Sequence, residues 1–76
     1  MKKVYLIYSP INNYYLSNQF ANDHEQAFTV KNYYTANSST LNPDLVTFSD
    51  RNKAYDSAKN QGHLHGFEPI VVKVVI

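Results

Sequence analysis

Cysteine and tryptophan are absent from this 76-residue chain, and glycine occurs only twice. Without thiols there is no disulfide, no thiolate nucleophile and no cysteine zinc cluster, so packing alone must hold the fold. With Gly62 and Gly66 as the only glycines, neither a phosphate-cradling loop nor a G-x-G-x-x-G dinucleotide turn can be written. Ser9, Ser39, His24, His65 and Asp44 supply the residue types of a hydrolytic triad, but no serine sits in a G-x-S-x-G turn. No catalytic residue and no cofactor is assigned, and a non-enzyme is expected.

An excess of one charge is missing too. Seven basic and six acidic side chains leave a formal +1, and the longest like-charged run is Lys2-Lys3. Binding through phosphates calls for a basic stripe, because counterion release scales with the number of Lys and Arg contacts, so a nucleic-acid partner is not expected. Long apolar runs are scarce: nothing approaches the roughly 20 residues of a membrane span. The opening "MKKVYLIYSP" has a charged start, but its apolar run, residues 4–8, is shorter than the about 7 to 15 residues of a signal core. It reads as a first strand, with no membrane partner and a cytoplasmic location by default. Abundant asparagine and tyrosine beside scarce glycine fit an AT-rich bacterial or phage gene.

What is present is mostly strand chemistry in a single domain, residues 1–76, of a size at which folding buries only about 60% of the unfolded surface. "KVYLIYS" and "NNYYLSNQF" flank Pro10 and Asn12-Asn13, a turn signal, and so predict a hairpin. "LVTFS" is β-branched and aromatic, and predicts a third strand. The fourth, "PIVVKVVI", closes the chain.

Between these lie two helix candidates. Ser49 as N-cap, Asp50 in the positive first turn, the stripe Ala54, Tyr55 and Ala58, outward Lys53 and Lys59, and Gly62 as closing residue predict a helix over residues 50–61. In residues 23–35, Asn22 with Glu25 or Asp23 with Gln26 resembles a capping box, and Ala27, Val30 and Tyr34 share a helical face; against this, "FTVKNYYT" is rich in strand formers. Helix is the favoured reading. "FANDHEQAFTVKN" and "FSDRNKAYDSAKN" share a rhythm of aromatic, cap and helix start that resembles an internal repeat. The expected fold is α+β, a four-stranded antiparallel or mixed sheet in the order β-β-α-β-α-β, with two helices packed on one face.

That architecture raises a question of cover. The last strand carries Ile70, Val72, Val74 and Ile76 on one face and Val71, Lys73 and Val75 on the other, and the first strand is apolar on both faces as well. Two helices cover one face. The other is expected to be buried by Tyr14, Tyr15 and the long loop, or by a second protein chain, with the Val71, Lys73 and Val75 side outward. Tyr14, Tyr15 and Tyr33 join those three as interface candidates, since tyrosine buries its ring while its hydroxyl stays wet.

"GHLHGFEP" places His63 and His65 two apart between glycines, a spacing that presents two imidazoles together on extended backbone. Zinc needs three or four ligands on a rigid frame, so a solvated loop is expected and no metal is assigned. Arg51, the only arginine, is at a helix start, where a surface charge is expected; with His63 and His65 it forms the candidate set for a small ligand. "VTFSDRNKAYDSAKNQG" followed by "EPIVVKV" is similar in rhythm to the strand, helix and strand near the end of ADP-ribosyltransferase-like and RNA phosphotransferase-like domains. The likeness covers under half of the chain. None of the NAD-binding His, Tyr or Glu motifs is matched in spacing, so no residue role is transferred. The expected function is a non-enzymatic protein-protein interaction module, inhibitor-like or adaptor-like, that binds itself as a homodimer or another protein. The alternative is a small-ligand or nucleotide-binding domain on a reduced ADP-ribosyltransferase-like fold.

Overall fold

Branched and aromatic residues pull both ends of the chain into extended backbone. In the computed structural model, which describes residues 2–20, 26–35 and 40–75, those two ends pair with each other. Strand β1 (Lys3–Ser9) lies antiparallel to β4 (Ile70–Val75), in unbroken register from Lys3↔Val75 to Tyr8↔Ile70. β2 (Tyr14–Phe20) follows β1 through the expected turn, where Asn13 takes a left-handed φ of 64° that a short polar side chain tolerates. Asn13 also donates its N–H to the Ser9 carbonyl (2.9 Å) and accepts from the Tyr8 hydroxyl (2.8 Å). β3 (Gln26–Val30) pairs with β2, and one helix, α1 (Arg51–His65), precedes β4. The sheet order is β3-β2-β1-β4, antiparallel throughout.

The fold is α+β with four strands, as expected, but there is one helix among the described residues and the order is β-β-β-α-β. The segment assigned to a first helix forms β3 instead. Phe28, Thr29 and Val30 lose rotamer freedom in a helix, and pairing Phe28 with Leu16 and Val30 with Tyr15 buries both apolar side chains. The capping-box residues Asn22, Asp23 and Glu25, together with His24, Ser39 and Ile76, lie outside the described residues.

"LVTFS" is not an ordinary strand. β1 and β2 pair only at Tyr8↔Tyr15 and Ser9↔Tyr14 and then part. Residues 44–48 fill the fork. Tyr5 and Phe48 exchange N–H···O bonds of 2.8 and 3.0 Å on one side, while Asn18 donates to Asp44 (2.7 Å) and Val46 to Leu16 (3.2 Å) on the other. The wedge satisfies backbone groups that the splayed strands would otherwise leave unpaired.

The predicted helix forms, one turn longer than its sequence signals suggested. Asp50, not Ser49, is the N-cap, accepting from the Asn52 N–H at 2.8 Å, and Gly66, not Gly62, closes the helix at φ 78°. Gly62 is inside it because the chain returns close by: a Cβ there would stand 2.7 Å from the Phe67 carbonyl oxygen and 3.0 Å from Pro69 Cδ. Ala54 and Ala58 are buried as expected, but Tyr55 is 48% exposed and leaves the stripe.

Both sheet faces carry a small core. Ile7, Leu16 and Phe28 pack with Ala54 and Ala58 on the helix side, flanked by Tyr5, Tyr14 and Val71. Val4, Leu6, Val30 and Val74 pack with Leu45 on the other, flanked by Tyr15, Tyr33, Tyr34, Leu41 and Val72. So the face opposite the helix is covered from within, by the loop tyrosines and Leu45. The expected orientation of the last strand is also reversed: Val71, and with it Lys73 and Val75 by strand alternation, faces the helix side.

Candidate interface along the free edge of the sheet

β3 and β4 are the two sheet edges, and they differ. β3 is short and irregular, with register shifts on both sides of Leu16. Ser17 Oγ donates to the Ala27 carbonyl (3.0 Å) and accepts from Thr29 (2.9 Å), while the His65 imidazole is 3.0 Å from the Gln26 carbonyl as a donor. Bulges and side-chain bonds of this kind blunt an edge. β4 is regular over six residues.

The direction of its free groups follows from β1. Tyr5 gives both its N–H and its C=O to Phe48, so it has none for β4, and Tyr5↔Lys73 is a non-hydrogen-bonded pair. Alternation then makes Val4↔Val74, Leu6↔Val72 and Tyr8↔Ile70 the bonded pairs. The N–H and C=O of Val71, Lys73 and Val75 therefore point away from the sheet, with no backbone partner among the described residues.

Beside this edge, on the helix side, the surface is hollowed. Lys3, Tyr5, Arg51, Tyr55, Val71 and Lys73 line a concavity of about 410 Å³, with no carboxylate on it among the described residues. Arg51 lies over the Tyr55 ring, 5.3 Å from its centre, and donates to its hydroxyl at 3.4 Å. That hydrogen bond, and then the charge of the same tyrosine, push the arginine pKa above its ordinary value. A second hollow of about 580 Å³, lined by Ala58, Gly62, Phe67 and Pro69, lies toward the start of β4, and Tyr55 borders both.

The residues singled out from sequence thus divide. Val71 and Lys73 come together with Arg51, which had been assigned to a different role, and Val75 follows on the same strand. Tyr14 belongs to the helix-side core, whereas Tyr15 and Tyr33 pack edge to face on the opposite side with ring centres 5.5 Å apart. Burial first, and then Tyr33 and Tyr8, raise the Tyr15 pKa above 10.0. His63 and His65 are not in a loop but in the last turn of α1, about 20 Å along the helix from Arg51. Two residues apart on a helix, their side chains diverge. No group of three metal-ligating side chains occurs among the described residues. Lys3 and Tyr5 are not among the sequence-based candidates, and Tyr55 enters there only as part of the buried helical stripe; the parity of β1 carries the signal for Lys3 and Tyr5, but only once its register with β4 is known.

Compared with protein families, with curated proteins and with solved structures, the chain matches none of them.

Proposed function

We propose that this protein is a small non-enzymatic binding module that takes an extended segment of another protein along the edge of β4, which would extend the sheet by one strand. The observation that carries this reading is the outward set of N–H and C=O groups at Val71, Lys73 and Val75, on a regular strand beside two hollows. Strand addition draws affinity from main-chain bonds of this kind and specificity from pockets for alternate side chains. A second copy of the chain is a poorer occupant. In the two-fold pairing that uses every outward group, Val71 meets Val75 and Lys73 meets Lys73 of the second copy, and like charges placed opposite destabilise a ladder. Docking on the apolar sheet face has lost its motive, because Tyr33, Tyr34, Leu41 and Leu45 already cover that face.

Peptide display followed by nitrogen-15 NMR mapping tests the proposal. Selected peptides are expected to shift and protect the amides of Val71, Lys73 and Val75. Lys73→Pro removes one outward N–H and should abolish binding, while Lys73→Gln keeps that N–H and should still bind. Peptides that map to the tyrosine face, or that bind Lys73→Pro unchanged, would refute the reading.

A further inference from the structure

The docked strand has a chemical signature of its own, and this inference rests on the strand-docking reading above. Residues paired across antiparallel strands point to the same face. The side chains of Val71, Lys73 and Val75 are on the helix side, so the residue that pairs with Lys73 must also be on the helix side, against the concavity lined by Lys3, Arg51 and Lys73. Three cations and two tyrosines meet there, and among the described residues no carboxylate lines the site to balance them. Arg51 has one donor engaged, by a long 3.4 Å bond to Tyr55, and a guanidinium carries five N–H donors in a fork that matches a carboxylate.

We infer that the Lys3, Arg51 and Lys73 hollow reads an acidic side chain, glutamate or aspartate, on the partner strand at the position paired with Lys73. Two residues to either side, the partner faces Val71 and Val75, which favour branched apolar residues. The signature is therefore apolar, any, acidic, any, apolar on an extended segment. The same cluster repels a second copy of this chain, which would bring Lys73 to that position. Because all three cations are exposed, recognition weakens as salt rises.

Capped peptides that alternate threonine with valine and carry glutamate, glutamine or lysine at the centre test the inference by NMR titration. The glutamate peptide is expected to bind at least about threefold more tightly than the glutamine peptide, within the range of exposed ion pairs. That preference, read as the ratio of the two affinities, should vanish in the Lys3→Gln, Arg51→Gln, Lys73→Gln triple variant, and a Lys3→Gln, Arg51→Gln, Lys73→Glu variant should come to prefer the lysine peptide. Equal affinity for glutamate and glutamine peptides, or a preference that survives the triple variant, overturns the acid-reading hollow and leaves strand docking intact. If no peptide shifts the β4 amides, strand docking itself fails.

Discussion

His65 is where a single residue departs furthest from its expected role. As part of a solvated loop it would contribute nothing, yet its ring packs 5.0 Å from Phe28 and 5.8 Å from Phe67, and its Nε2 reaches the Gln26 carbonyl. It ties the end of α1 to the β3 edge. His65→Ala is therefore expected to cost about 1 to 2 kcal/mol in urea unfolding, from a lost hydrogen bond and aromatic contacts, whereas exposed His63→Ala stays within about 0.5 kcal/mol. Equal midpoints for the two variants would show that the His65 contacts contribute nothing. The misreading traces to Gly62. A glycine after a helical stripe normally marks the end, but here the close return of Phe67 and Pro69 requires a residue without a side chain in mid-helix. No local pattern announces such a contact.

At the scale of elements, β4 was legible and β3 was not. The alternation and branched residues of "PIVVKVVI" leave little choice but strand, while residues 23–35 carry caps that suit a helix and side chains that suit a sheet. Pairing with β2 decided between them. The bond pattern deduced for β4 makes a sharp prediction, because proline is tolerated where its missing N–H faces solvent and not where it breaks a ladder. Lys73→Pro should fold with a loss of at most about 1 kcal/mol, and Val72→Pro should lose more, about 2 to 3 kcal/mol, because its broken bond leaves the carbonyl of buried Leu6 unpaired. Thermal unfolding of both variants checks it; the reverse order would mean that the outward groups have been assigned to the wrong residues.

For the molecule as a whole, the governing feature is a sheet with a core on each side, one capped by α1 and the other by Tyr33, Tyr34, Leu41 and Leu45 from the segment between β3 and α1. The second core makes stability sensitive to alkali. Burial raises the Tyr15 pKa, so the folded state holds that proton more tightly than the unfolded chain does. This contribution is fully present below the unfolded value of about 10 and is lost as pH rises through the folded pKa. Urea unfolding is expected to show a steeper decline above pH 10 for the native protein than for Tyr15→Phe, which has no proton there to lose. Parallel declines would assign the effect to other groups.

The sequence by itself determined the α+β class, the hairpin, the buried Ala54 and Ala58, and the two strands that are apolar on both faces, because alternation, turn residues and helical stripes act within a few residues of one another. Only the tertiary structure decided that residues 44–48 wedge between β1 and β2, that the loop tyrosines cover the second face, and that Lys3, Arg51 and Lys73 meet. Each of those depends on strand register and on which face of the sheet an element packs against, and a shift of one residue would send the same side chains to the opposite face.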